Sequence, residues 1–357
     1  TEITKSAILK SLEKPTDIDM NMFYAQQARR ILDRLIGYKI SPILWKQIQS
    51  SFKKDGSLSA GRVQSVIVRL ILEREAAIKE FESGSYFKTL GTFNDGGSNL
   101  KEITGELSTQ FETCDDSSEF LENCKDAEFV VDGVSTKISN RNPSPPFITS
   151  TLQQEASRRL YFATNRTMQV AQRLYEGFNI NGETVGLITY MRTDGVSISN
   201  DSINSIRDIV SNDYGAKYEP NSPRVYKSKA KTAQEAHEAV RPTDLTRKPK
   251  DVEQYLDEDQ RKLYELIWKR TISSQMEAAV IDQVAVDITS PDHQTILRAT
   301  GSVIAFDGFL KVYQESNSDD DRDRILPDLK KNDILDRISI DPEQHFTQPP
   351  PRYSEAS

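Results

Sequence analysis

A tyrosine and an arginine two positions apart form the pair in this sequence best suited to chemistry at phosphorus. Tyr190 and Arg192 stand at the end of an apolar run that begins at Val185. A free Tyr hydroxyl ionises at about pH 10, so its attack on a phosphate requires help to remove the proton and to stabilise the developing charge. A guanidinium supplies this help, because its planar fork grips a phosphate and favours the phenolate. Taken alone, the pair is better explained as a strand-end aromatic and a surface charge.

The elements around this pair are predicted from hydrophobic periodicity. The run at 185–191 is typical of a buried strand, which would place Tyr190 and Arg192 on one face. A Pro-rich boundary at 142–146 comes first, and the T-x-x-Q pattern at Thr151 is typical of a helix start. Helices are predicted in this region over 152–160, 167–175, 203–210, 232–240 and 258–274.

Short β-branched and aromatic segments lie on both sides of that helical region and are separated by turn residues, as antiparallel strands are. They cover 86–93, 103–107, 129–137, 279–289 and 295–301. Because the β pattern stops and then resumes, the helical region is expected to be inserted into a β region.

The first eighty residues follow a helical pattern. The segment 23–38 carries apolar residues at i, i+3, i+4 and i+7, with three arginines off that stripe. A second helix is predicted over 59–81, and its Arg62 and Arg69 are seven residues apart, so they point roughly the same way. These helices are expected to present one core face and one basic face.

The composition limits the class of protein. A length of 357 residues favours two or three domains, and 36% apolar with 28% charged residues indicates a folded chain. No apolar run suits a membrane span and no signal peptide is recognisable, so a cytoplasmic location is expected. Cys114 and Cys124 are too few for a disulfide framework or a four-ligand zinc site.

The net charge hides an uneven distribution. A formal charge of -8 counts against nucleic acid as a partner, because Lys and Arg dominate phosphate binding. The stretch 141–192, however, has six Arg, no Lys and three acidic residues, a local net charge of +3. Acidic residues concentrate instead at 115–122 and 319–323.

Six blocks of the sequence, taken together, resemble one known family. Residues 188–194 form ITYMRTD, and in chain order the others are AQQARR at 25–30, LSAGRVQS at 58–65, PFITSTLQQ at 146–154, AHEAVRPT at 236–243 and PRYSEA at 351–356. They resemble type IA DNA topoisomerases, and ITYMRTD resembles their active-site signature. Gly195 departs from the signature, because many relatives have Ser there; we expect tuning of the chemistry rather than its loss.

The resemblance implies an α+β multidomain fold, a toroidal body with helical domains and an arch of antiparallel strands. It predicts a helical domain at 1–82, the first part of the arch at 83–145 and a catalytic tyrosine domain at 146–278. The second part of the arch is then expected at 279–326, with a return to the helical domain at 327–357.

The resemblance also implies the chemistry. Tyr190 would attack one DNA strand and keep the 5' phosphate covalently, while Arg192 positions that phosphate. In the full-length enzyme this would relax negative supercoils by strand passage without ATP. The expected substrate is single-stranded or negatively supercoiled DNA, and the expected oligomeric state is a monomer.

Further residues are implied to bind DNA or to organise the site. They are Gln64, Thr193, Asp194, His237 and Arg241, together with Arg62 and Arg69 along a single-strand groove. His237 is expected near bound DNA or in proton transfer; without its block, a surface histidine would be the better interpretation. Arg62 and Arg69 are also compatible with solvated helix charges, for example Arg69 paired with Glu73.

Family members bind magnesium through an N-terminal Toprim domain, and this sequence contains no segment that resembles it. We therefore expect Mg²⁺ in the full-length enzyme, no metal ligand in this chain, and an excised piece that binds single strands weakly without relaxing DNA. Asp319, Asp321 and Asp323 form a D-x-D-x-D string that is better explained as a solvated loop than as a metal site.

Two alternatives stay open. Topoisomerase III and reverse gyrase belong to the same family, although Met191 and the block at 60–65 favour the bacterial topoisomerase I branch. From another class, the chain is compatible with a non-catalytic module that binds single-stranded DNA. Sequence upstream of Thr1 would separate the enzyme from the binding module.

Overall fold

The computed structural model describes residues 2–13, 15, 17–48, 58–94, 102–180, 182–227, 238–289, 296–314, 326–327 and 329–356. The chain divides into two compact units. We call residues 1–7, 84–347 and 355–357 the main unit, and residues 8–83 and 348–354 the helical unit. The predicted mixture of helices and antiparallel strands is confirmed.

The helical unit contains the two long helices expected near the start of the chain. After α1 (Lys5–Glu13) come α2 (Met20–Gln47) and α3 (Arg62–Glu80). The Asp19 carboxylate caps α2 by accepting the N–H groups of Asn21 and Met22 at 2.9 and 3.1 Å. The apolar stripe of α2 is about half exposed in the described structure, so the predicted core face is not buried by the described residues of this unit.

Six of the described strands form one closed antiparallel sheet in the main unit. In chain order they are β1 (Ser85–Asn94), β2 (Glu102–Leu107), β3 (Phe129–Arg141), β6 (Ala279–Thr289), β7 (Ile296–Phe306) and β8 (Ile334–Phe346), and around the sheet they follow the order β1-β2-β7-β6-β3-β8. Five of them were predicted. β3 pairs with β6 from Val130 opposite Thr289 to Arg141 opposite Ala279, so residues 142–278 are inserted into the sheet, as expected.

The stretch 327–357 differs from its prediction as a return to the helical domain. β8 pairs with β1, with Ser85 opposite Phe346, and with β3, with Phe129 opposite Leu335. The helical unit is re-entered only at Gln348. The physical reason is closure, because β8 covers the edges that β1 and β3 would otherwise leave unpaired. A short helix that was not predicted, α4 (Cys114–Asn123), is capped by Thr113.

The inserted region is a helical layer with its own core. Its helices are α5 (Thr149–Leu160), α6 (Thr164–Glu176), α7 (Asn200–Asp213), α8 (Pro249–Val252) and α9 (Glu258–Ser273), and a small hairpin joins β4 (Phe178–Ile180) to β5 (Glu183–Val185). Gly177 ends α6 with φ 107°, a conformation that favours glycine. The buried core includes Leu152, Leu174, Leu187, Ile188 and Ile267.

Two predicted helices of this region differ from the structure or lie partly outside the described residues. α5 begins at Thr149, two residues before the T-x-x-Q pattern, and the Thr151 hydroxyl accepts the Ile148 N–H at 3.0 Å. Most of the helix predicted at 232–240 lies outside the described residues, and its described end is extended, with Val240 bridged to Phe147. None of the described helices combines the length and apolarity that crossing a membrane requires.

Candidate active site

The segment that carries Tyr190 is not the regular strand that its apolar run predicts. β5 ends at Val185, and residues 186–191 form an irregular extended segment with a bend at Met191. Leu187, Ile188 and Met191 are fully or almost fully buried in the helical core, whereas Tyr190 is half-buried. Tyr190 and Arg192 therefore flank a bend, and the strand-face argument for their common direction is wrong.

A threonine at the start of α5 holds both sides of this bend. The Thr149 hydroxyl accepts the Thr193 N–H at 2.9 Å, and it lies 2.8 Å from the Met191 carbonyl oxygen and 3.0 Å from that of Thr193. Its single proton is donated to one of these two carbonyls at a time. The Thr149 N–H also donates to the Thr193 carbonyl at 3.0 Å. One side chain thus fixes the backbone on each side of Arg192.

A second threonine connects the Tyr190 segment to the block at 238–243. The Thr189 hydroxyl donates to the Ala239 carbonyl at 2.7 Å and accepts the Arg241 N–H at 3.0 Å. The Thr189 N–H donates to the Arg241 carbonyl at 2.9 Å. Two blocks about fifty positions apart in the sequence are therefore hydrogen-bonded side by side, with Tyr190 at the end of the pairing.

The two candidate reactive side chains have different surroundings. The Tyr190 ring packs edge-on against Tyr175 of α6, with ring centroids 5.3 Å apart and an angle of 63°. Arg192 is exposed, and its side chain has no hydrogen-bond or ion-pair partner among the residues that the structure describes. A guanidinium on a fixed backbone that is not committed to a neighbour is available to bind an anion.

The two residues after Arg192, Thr193 and Asp194, differ in burial. Thr193 is buried, and its hydroxyl accepts the Gly195 N–H at 3.0 Å. Asp194 is exposed. Because the Thr193 hydroxyl bonds within the segment and its backbone bonds to Thr149, its geometry is that of a residue that organises the site.

Arg241 occupies a buried position with carboxylates around it. Its side chain donates to Glu238 at 2.7 Å, to the Pro242 carbonyl at 2.8 Å and to Glu2 at 3.4 Å, and the residue is only 5% exposed. Of the two roles expected for it, DNA binding and site organisation, this geometry supports the second. His237 lies outside the described residues, as does the string of Asp319, Asp321 and Asp323.

The candidate DNA-binding or site-organising residues of the helical unit already have partners there. Arg62 makes a two-pronged contact with Asp33 at 2.5 and 2.9 Å, and this hydrogen bonding lowers the pKa of the Asp33 carboxyl. Arg69 pairs with Glu73 at 2.7 Å, the solvated pairing considered as its alternative. The Gln64 side-chain oxygen accepts the Ser59 hydroxyl at 3.2 Å.

Sequence reasoning did not single out Thr149 and Thr189, although both lie in blocks that it identified. Thr189 is a hydroxyl residue within an apolar stretch, which is the available signal there, because a buried hydroxyl needs a partner. Thr149 lies between Ile148 and Ser150 and carries no such signal. Within the described ranges, no three His, Cys, Asp or Glu residues are grouped closely enough to hold a metal ion.

The chain matches known proteins over nearly its whole length. A family model described as DNA topoisomerase matches residues 17–357. DNA topoisomerase 1 of Rickettsia bellii is 50% identical over 365 residues, which cover 100% of this chain and 45% of that protein. DNA topoisomerase 1 of Xylella fastidiosa is 44% identical over 372 residues, with coverages of 100% and 45%.

A solved structure agrees. Full-length topoisomerase I from Thermotoga maritima matches with a TM-score of 0.84 and 33% sequence identity, over 99% of this chain and 55% of that one. The chain thus spans about half the length of the relatives it matches.

Proposed function

The chain belongs to the bacterial type IA branch of the DNA topoisomerase family, and from this we propose that its Tyr190 hydroxyl cuts and reseals one strand of DNA. The proposal rests on one observation. Threonine hydroxyls fix the backbone around a half-buried tyrosine, and two residues on, Arg192 has no partner in the described part of the chain. A guanidinium that extends from such a fixed backbone and forms no ion pair can bind a phosphate on which negative charge develops.

The proposed step exchanges the ester bond between phosphorus and a sugar oxygen for one between phosphorus and the Tyr190 oxygen. The Tyr190 oxygen forms a bond to phosphorus, its proton goes to a base, and the bond from phosphorus to the 3' oxygen of the preceding sugar breaks as that oxygen takes up a proton. The 5' phosphate stays on Tyr190. Resealing reverses each of these events. One phosphodiester replaces another, so the cycle needs no ATP.

Each side chain around Tyr190 has a proposed role. Arg192 holds the scissile phosphate and stabilises the charge that develops on it. Thr149 and Thr189 are positioning residues that act through the backbone, and buried Arg241 supports the neighbouring block. We further propose that Asp194 and His237 lie near the reacting phosphate and that Arg62, Gln64 and Arg69 follow the strand.

Magnesium is part of the family expectation, and the described carboxylates form no group that fits it. We propose that its ligands belong to a Toprim domain outside these residues, and no step above passes through the ion. The isolated chain is then expected to bind single-stranded DNA weakly and to leave negatively supercoiled plasmid unrelaxed in magnesium. We also propose a monomeric protein that acts on the bacterial nucleoid.

Trapping the covalent intermediate tests the proposal. The complete gene product is incubated with a single-stranded oligonucleotide carrying a label at its 3' end, then denatured. We expect labelled protein, and none from the same oligonucleotide labelled at its 5' end, because the retained phosphate belongs to the downstream fragment. Tyr190→Phe should abolish the adduct.

Tyr175→Phe is the matched control, because it removes a hydroxyl from the ring packed against Tyr190 and leaves that packing in place. It should keep the adduct. Label transfer that survives in Tyr190→Phe, or that comes only from the 5'-labelled strand, would contradict the proposal.

A further inference from the structure

A polar cleft opens along α6, beside the Tyr190 segment. Its volume is about 750 Å³, and its walls come from α6, from Arg192 and from the start of α9. A cavity of this size is within the range of small-ligand sites and has room for a nucleotide. The side chains from α6 are mostly arginines and amides, notably Asn165, Gln169, Gln172 and Arg173.

The cations of this α6 cleft differ in their partners. Arg166 is tied to Asp259 by two hydrogen bonds from its guanidinium. Arg173 and Arg192, by contrast, are exposed, and their side chains pair with no carboxylate in the described part of the chain. Of the carboxylates that line the cleft, Glu176 accepts a hydrogen bond from the Gln172 amide at 2.8 Å, and Asp257 caps α9 by accepting the Gln260 N–H at 2.8 Å. The cleft therefore offers two guanidinium groups that form no ion pair with a described residue.

The cleft shares one residue, Arg192, with the candidate active site. Tyr175, on the same helix, contacts the Tyr190 ring, and Arg192 belongs to both places. From Asn165 to Glu176 the helix advances 11 residues, or about 16 Å at the usual rise. A nucleic-acid strand has a phosphate about every 3.4 Å when stacked, so this length covers several phosphates.

We propose that the α6 cleft binds the DNA strand immediately beside the phosphate attacked by Tyr190. Arg192 holds the reacting phosphate, Arg173 holds a second phosphate of the same strand, and the amides of Gln169 and Asn165 contact the nucleotide between or beyond them. This inference deepens the proposed function and rests on it. It assigns Arg173 a binding role that the sequence motifs did not indicate.

Equilibrium binding of this 357-residue chain to a single-stranded oligonucleotide gives the first test. Each phosphate contact with a single strand contributes about 0.7 to the slope of log K against log salt. Arg173→Ala should lower that slope by about 0.7 and weaken binding roughly 5- to 10-fold at about 0.1 M salt. Arg158→Ala removes the same charge from an exposed position on α5, where Arg158 lies 3.6 Å from Glu155, and should change neither quantity.

A scan of neutral phosphates locates the contact. Oligonucleotides with one methylphosphonate each are compared for the unmodified chain and for both variants. One position that weakens binding to the unmodified chain should become silent in Arg173→Ala and stay effective in Arg158→Ala. Absence of binding by the unmodified chain, an unchanged slope, or an unaltered scan in Arg173→Ala would overturn the cleft assignment.

The two proposals fail separately. If one methylphosphonate position becomes silent in Arg173→Ala while adducts survive in Tyr190→Phe, the cleft assignment stands and the assignment of Tyr190 as the nucleophile is wrong. If adducts are lost in Tyr190→Phe while the methylphosphonate scan of Arg173→Ala is unaltered, Tyr190 stands as the nucleophile and the cleft assignment is wrong.

Discussion

The Tyr190 segment of the main unit and the arginine-bearing helices of the helical unit were identified by the same kind of evidence, and the structure treats them differently. Around Tyr190, the hydroxyls of Thr149 and Thr189 hydrogen-bond to the backbone, and the Arg192 side chain has no hydrogen-bond or ion-pair partner among the described residues. In the helical unit, Arg62 and Arg69 are each paired with a carboxylate of their own unit. Motif resemblance alone did not separate these two situations.

Around Arg192 the polar interactions are made by the backbone, whereas in the helical unit they are made by the arginine side chains themselves. A catalytic cation works best when its support is rigid and its own charge is not already compensated, since it then requires no rearrangement at the moment of reaction. Arg192 meets both conditions, with hydrogen bonds at Met191 and Thr193 on its two sides. If Arg62 binds DNA as proposed, it must first exchange Asp33 for a phosphate, and its contribution to binding is then reduced by the pair it gives up.

The largest effect is expected at Arg192. Arg192→Ala in the complete protein should slow covalent adduct formation about 100- to 1000-fold, the range found when one preorganised donor to a developing anion is removed. Arg192→Lys should recover part of the rate, because it restores the charge without the fork. Single-turnover trapping measures both. Arg298→Ala, which breaks an exposed pair with Asp287 on the closed sheet, is the control; an equal loss there would contradict the assignment.

The next largest effect is expected at Thr149, whose hydroxyl bonds to the backbone on both sides of Arg192. Thr149→Val keeps the shape but loses the hydroxyl, so the Thr193 N–H and a carbonyl lose their partner, and unfolding free energy should fall by about 1–3 kcal/mol. The adduct-forming rate should fall roughly 10-fold, because a misplaced reactive group is costly. Thr149→Ser should restore both. If the rate is unchanged while stability falls, Thr149 is structural and holds nothing that the reaction uses.

Much of the fold was predictable because its signals are local. Helical periodicity identified α2, α3 and α6, and alternating or β-branched runs identified five strands of the sheet. β8 was missed because its partner β1 lies about 250 residues earlier and because charged residues interrupt its pattern. Its pairing is a property of sheet closure, which no local window contains.

The sequence predicts the proposed reactive residues of the candidate site, but it does not predict the residues that hold their backbone. Tyr190 and Arg192 stand out by type and by family resemblance, but their segment was predicted as a strand because it is apolar. Its backbone instead bonds to Thr149, 44 positions before Thr193, and to residues near Ala239, 50 positions after Thr189. Contacts at such separations depend on the tertiary fold, so the two threonines became visible only in the structure.

A smaller effect should appear in alkaline solution and test how firmly the helical layer is built. Burial raises the pKa of Tyr264, whose hydroxyl donates to the Arg247 carbonyl at 2.8 Å. The folded state then keeps this proton while the unfolded chain loses it above about pH 10, so stability is fully present below that pH and falls above it. Tyr264→Phe should weaken that fall by up to about 1.4 kcal/mol per pH unit, measured by denaturant unfolding. If the unfolding free energy of Tyr264→Phe falls with alkaline pH as steeply as that of the unmodified chain, the Tyr264 ring is accessible to solvent in the folded state.

The smallest effect is expected from releasing the arginines of the helical unit. Asp33→Asn removes the charge that faces Arg62, and if Arg62 follows the strand, the chain should bind single-stranded DNA about 2- to 3-fold more tightly at low salt. Glu73→Gln should do less, because the Arg69 side chain is 79% exposed and already samples solvent, whereas that of Arg62 is 35% exposed. Combining Asp33→Asn with Arg62→Ala separates contact from overall charge. A gain that persists without Arg62 would mean that the added net charge alone attracts DNA, and Arg62 would then be a solvated helix charge.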